Sequence, residues 1–97
     1  MSKQLKDENM NRLMDAMVAL QSREEAYAFF EDLCTVNEML SLSQRLAVAQ
    51  LLREQRTYTE VGEQTGASTA TISRVNRALH YGTDGYEMVL SRIEEHS

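Results

Sequence analysis

The sequence predicts an all-α fold, a helical bundle that carries a helix-turn-helix. Three observations predict it. The 97 residues include no proline and only 4 glycines, so little interrupts a helix. Apolar residues recur at spacings of three and four, the period of a helix that buries one stripe. Four segments place a hydroxyl three residues ahead of an acid or amide. In that pattern the hydroxyl caps a free backbone N–H of the first turn and the later side chain reaches back. No stretch alternates in the manner of a strand.

Taken in order, Met10, Leu13, Met14 and Met17 predict a first helix over 5–20. The pattern from Ser22 to Glu25 opens a second over 23–33, striped by Ala26, Phe29, Phe30 and Leu33. Thr35 to Glu38 opens a short third over 36–40. Ser41 to Gln44 opens a fourth over 42–55, outlined by Leu42, Leu46, Ala49 and Leu52. Thr57 to Glu60 opens a fifth over 58–65, and a sixth follows over 68–79. The run from His80 to Gly85 breaks the chain, with Gly82 as a C-terminal cap. Tyr86, Val89, Leu90 and Ile93 then mark a last helix over 85–95. The expected organisation is one domain over 1–97. Residues 1–55 supply core and dimerisation helices, 58–79 the helix-turn-helix, and 85–95 the C-terminal helix.

Composition narrows the function. No apolar run approaches the roughly 20 residues that span a bilayer, and the first residues are mixed and charged rather than leader-like. Cys34 is the only cysteine, so no intrachain disulfide can form. A cytoplasmic protein with no membrane partner is expected. The formal charge of -5 weighs against indiscriminate binding to polyanions, but the charge is unevenly spread. Residues 1–40 carry eight acids against four bases, whereas Gln64 to Thr83 holds no acid and includes Arg74, Arg77 and His80. One local surface can therefore be positive while the remainder repels phosphate.

That surface coincides with a helix-turn-helix pattern over 58–77. Val61 and Thr65 face inward from the first helix of the pair. Gly62 stands where the two helices cross and a small residue is needed. Gly66 takes the turn, where a positive φ excludes a Cβ. Ala67 packs into the corner and Ser68 caps the second helix. Ile72, Val75 and Leu79 form the buried stripe of that helix. At 100° per residue, Ala70, Ser73, Arg74 and Arg77 lie opposite, flanked by Thr69 and Thr71. Ala and Thr are slim enough to approach a groove floor and touch a thymine methyl. Ser and Thr hydroxyls bond base edges or phosphates. Arginine forks onto guanine O6 and N7 or clamps a phosphate. The free N–H groups at the helix start favour a phosphate as well. Double-stranded DNA is the expected partner, contacted by Ser68, Thr69, Ala70, Thr71, Ser73, Arg74 and Arg77. The same corner geometry also serves protein docking, which the net acidity favours and the basic face opposes.

The segments Phe29 to Leu52 and Tyr58 to Leu79, above all Gly66 to Arg77, resemble the Trp repressor-like proteins, in particular their YerC/YecD branch. The similarity covers about Glu24 to Arg92. It implies an all-helical, intertwined homodimer with interlocked N-terminal helices. Its two recognition helices would enter successive major grooves of a palindromic operator, and the protein would act as a repressor of transcription. The tryptophan-binding members place a glycine directly after the recognition-helix arginine, leaving a slot for the indole ring. Here Val75 follows Arg74. Those members draw a second arginine from the preceding long helix, and an ungapped alignment sets Gln44 there, with Arg45 beside it. A valine in the slot and a missing guanidinium speak against a tryptophan co-repressor. No cofactor is expected, and the sequence identifies no other effector.

Other signals carry less. Cys34, beside Leu33, is expected to be structural, lacking a partner cysteine or nearby histidine. His80 and His96 lie too far from other ligand types for a metal site; His80 suits a helix C-terminus. The methionine stripe is expected to pack a core or dimer contact, and Glu24, Glu25, Glu31 and Asp32 to form a solvated face. No nucleophile–base set or phosphate loop is present, so an enzyme is not expected.

Overall fold

The computed structural model describes residues 7–95. Six helices occur among them: α1 (Glu8–Ala19), α2 (Arg23–Leu33), α3 (Val36–Arg53), α4 (Tyr58–Thr65), α5 (Thr69–Tyr81) and α6 (Gly85–Glu95). No described residue is in a strand. The chain divides after Met39 into two compact units.

In the first unit, α1 begins at Glu8 because the Asp7 carboxylate accepts from the Met10 N–H at 2.7 Å. The sequence expectation missed this cap; residues 5 and 6 of the predicted helix lie outside the described residues. Ser22 caps α2 by accepting from the Glu25 N–H at 3.1 Å, as its pattern predicts. The Glu25 carboxylate, however, takes the N–H of Gln21 at 2.9 Å rather than that of Ser22. Phe29 and Phe30 meet edge to face, with ring centroids 5.7 Å apart. No residue of α1 or α2 is fully buried.

The predicted helices 36–40 and 42–55 are one, α3, and this corrects the sequence reading. Thr35 and Glu38 do form a reciprocal box, exchanging bonds of 2.8 and 3.1 Å. Ser41 to Gln44 does not, because those residues are helical. A capping side chain needs an extended backbone at the cap, and no glycine or proline ends the helix near Leu40. α3 instead ends at Arg53 in a left-handed cap. The Gln55 N–H bonds the Leu52 carbonyl at 3.0 Å and the Arg56 N–H bonds that of Leu51 at 3.1 Å, with Gln55 at φ 65°.

The core lies in the second unit. Val48 and Ala49 of α3, Val61 of α4, Ala67 of the turn, Ile72 and Val75 of α5 and Leu90 of α6 are buried together. Leu51, Leu52, Leu79 and Tyr86 pack around them. Each large side chain taken from water there contributes about 1.5–3 kcal/mol. Of the predicted α6 stripe only Leu90 is buried; Val89 and Ile93 remain exposed. Near the end of α3, Arg53 bonds to Glu87 and Glu94 and so ties α6 to that helix.

Candidate nucleic-acid interface

α4, the turn and α5 assemble from local chemistry. Thr57 and Glu60 form a complete capping box at the start of α4, with bonds of 3.1 and 3.2 Å. Hydrogen bonds from the Thr57 backbone and side chain, followed by Arg56, hold the Glu60 carboxyl below its ordinary range. Gly66 ends α4 at φ 73°, and an added Cβ would find nothing within 4 Å. Glycine is therefore favoured there by the backbone, not by crowding. At Gly62 the case differs. An added Cβ would sit 3.7 Å from the Ala67 carbonyl oxygen and 3.8 Å from Ile72 Cδ1, ordinary contact distances. Smallness, rather than the lack of a Cβ, is what the crossing asks for.

Thr65 closes the turn. Its hydroxyl donates to the Val61 carbonyl at 2.7 Å and accepts from the Ala67 N–H at 3.1 Å. Ala67 is buried in the corner. Ser68 caps α5, its Oγ accepting from the Thr71 N–H at 3.1 Å and donating to Thr71 Oγ1 at 3.1 Å. α5 thus starts at Thr69, one residue later than predicted, and continues two residues beyond Leu79. At its end the Gly82 N–H bonds the Ala78 carbonyl, and a Cβ on Gly82 would strike that same carbonyl. Gly82 closes the helix as expected, though by close approach and not by a positive φ.

The two faces of α5 separate cleanly. Ile72 and Val75 join Val61 in the core, and Leu79 flanks it. Ser68, Thr69, Ala70, Ser73, Arg74 and Arg77 are all exposed, and Thr71 is partly buried. Among the described residues the ion pairs of this unit engage Arg53 and Arg56, leaving Arg74 and Arg77 outside them. No acid lies between Gln64 and Thr83, so α5 itself brings only the positive charge of its two guanidinium groups to this face. His80 donates from Nδ1 to the Asn76 carbonyl at 2.8 Å and so ties its ring to its own helix.

One residue of this face escaped the sequence reading. Tyr81 follows Ala70, Arg74 and Arg77 at the spacing of one outward stripe and is 86% exposed. The apolar stripe ends at Leu79, and the helix expected from it stops there. The cap expected at Gly82 already carries the missing signal, since a C-terminal cap there leaves Tyr81 helical.

The family model described as Trp repressor protein matches residues 8–94. The chain belongs to the Trp repressor family. It is 53% identical over 91 residues to YerC of Bacillus subtilis, covering 94% of this chain and 88% of that protein. A TrpR-like protein from Eubacterium eligens has a crystal structure that superimposes with a TM-score of 0.92 at 56% identity, covering 96% of each chain. The crystal structure of a candidate Trp repressor from Staphylococcus aureus does so with a TM-score of 0.91 at 50% identity, over 95% of this chain and 92% of that one. The resemblance and the all-helical fold expected from the sequence are thus both met. Membership of the Trp repressor family associates the corner built by α4 and α5 with DNA binding and the regulation of transcription.

Within this Trp repressor-family chain, the position after Arg74 is filled: Val75 is 1% exposed and part of the core. The amide of Gln44 is engaged as well, Nε2 donating to the Thr65 carbonyl at 3.1 Å. His96 lies outside the described residues. Among the described residues no group of three or more His, Cys, Asp or Glu could hold a metal ion. No described helix is long and apolar enough to cross a membrane.

Proposed function

We propose that the protein is a sequence-specific DNA-binding repressor of transcription that works in the cytoplasm as a homodimer on a palindromic operator. One observation carries this: in an acidic chain, the outward face of α5 is exposed, carries no acid of its own and is led by two arginines that form no ion pair among the described residues. Arg74 and Arg77 contact guanine edges or phosphates. Thr69, Ala70, Thr71 and Ser73 approach the groove floor, and Ser68 presents the start of α5 to a phosphate. Val61, Gly62, Gly66, Ile72 and Val75 hold the angle between the two helices.

Homodimerisation is supported by apolar side chains left in solvent. Val18 is 84% and Val36 74% exposed, and Met14, Tyr27, Leu33, Leu40 and Leu42 are exposed as well. A chain of this size buries a modest fraction of its surface alone, and a second copy would cover such side chains. The helices up to residue 55 would supply that contact.

Selection from a random duplex library with the purified protein tests the proposal. Enrichment of a palindrome with half-sites about one helical turn apart is expected. Failure to enrich any sequence at low salt, with and without a panel of amino acids, would transfer the corner to protein docking. A monomeric mass at micromolar concentration would remove the homodimer.

A further inference from the structure

The hydrogen bond from Gln44 to the turn has a consequence for the DNA-binding face. Gln44 lies on α3 and is partly buried, and its Nε2 reaches 21 residues along the chain to the carbonyl of Thr65. That carbonyl closes α4, immediately before the left-handed Gly66. The last carbonyls of a helix have no partner within it. Thr65 also fastens both sides of the turn through its hydroxyl, to the Val61 carbonyl and from the Ala67 N–H. One side chain of α3 therefore grips the peptide through which the direction of α5 is set.

We infer that Gln44 is a positioning residue for DNA binding: its amide, donating to the Thr65 carbonyl, holds the turn so that the outward face of α5 meets the groove at one angle. The inference rests on the DNA-binding role proposed above. Gln44 itself touches no base or phosphate in this account. It acts by narrowing the range of α5 orientations, so that less ordering is left for the moment of binding. Packing of Val75 and Ile72 sets where α5 sits; Gln44 limits how far the turn can open.

Gln44→Met keeps the length of the side chain and removes the donor. Gln44→Lys restores an N–H donor of similar reach. Backbone amide exchange of Gly66 to Thr71, operator affinity, its salt dependence and the thermal midpoint are measured for the wild type and both variants. The Met variant should exchange faster at the turn and bind the operator roughly 2- to 10-fold more weakly, the worth of one hydrogen bond. Its salt slope should be unchanged, because no phosphate contact is lost. The Lys variant should recover both exchange protection and affinity. Unchanged exchange in the Met variant would overturn the inference, whatever the protein binds. Wild-type affinity with a lowered midpoint would reduce Gln44 to a structural part and overturn it equally. A wild type that binds no DNA would refute the binding role itself, separably, since turn exchange is read without DNA.

Discussion

Arg53 holds Glu87 by two parallel bonds, Nε to Oε2 at 2.6 Å and Nη2 to Oε1 at 2.9 Å. The same guanidinium donates to Glu94 at 2.8 Å and to Ser91 Oγ at 3.2 Å. Ser91 in turn donates to Glu87 Oε1 at 3.0 Å. The fork geometry suits arginine alone, since a lysine ammonium cannot present two parallel donors.

This clamp makes stability depend on pH. The bond from Arg53, then that from Ser91, lowers the Glu87 carboxyl below its ordinary range, and the carboxylates raise the Arg53 guanidinium. A carboxyl whose folded pKa is lowered stabilises the fold fully above its unfolded value, about 4.3. That contribution is lost as pH falls through the folded value. The thermal midpoint should therefore drop on acidification below about pH 5. Glu87→Gln should start lower at neutral pH and drop less. An identical pH profile in the variant would show that the clamp does not contribute.

Gln55 is a glutamine in a glycine's conformation. Its φ of 65° costs an L-residue about 1–2 kcal/mol. Glycine removes that cost but gives the unfolded chain more freedom, worth about 0.5–1 kcal/mol. Gln55→Gly should stabilise the protein by roughly 0.5–1 kcal/mol in urea unfolding, the difference between those terms.

Gly66 is the converse. A methyl group there meets no neighbour, so Gly66→Ala isolates the backbone cost of φ 73°. It should destabilise by about 1 kcal/mol, and Gly66→Asn by less, because asparagine tolerates the left-handed region. Equal stability of Ala and wild type by the same denaturation would show that the turn relaxes to a negative φ.

On the outward face of α5, Arg77→Ala should weaken operator binding by about 1–3 kcal/mol if the guanidinium reads a guanine. If it neutralises a phosphate, the salt slope should fall by about one. Unchanged affinity and slope would take Arg77 out of the DNA contact. Tyr81→Phe offers a contrast. A phenol that donates to a phosphate carries no charge, so its loss should weaken binding roughly 2- to 10-fold with the slope intact. Wild-type affinity in the Phe variant would leave Tyr81 outside the contact.

The sequence by itself determined the local architecture of the corner. A capping box at Thr57, a glycine at the left-handed position, a serine cap and buried Val61, Ile72 and Val75 act over a few residues, so they are legible in the order of the residues. The acid-free face of α5 was legible for the same reason. The tertiary structure alone decided three things. It made α3 continuous, because a capping pattern at Ser41 cannot act where the backbone stays helical. It left Leu90 as the buried residue of the α6 stripe, because periodicity marks an apolar face without saying what will cover it. It also brought Gln44 to Thr65 and Arg53 to Glu87. Those partners are 21 and 34 residues apart, and no spacing rule extends so far. Such contacts exist only once packing has chosen which helices meet.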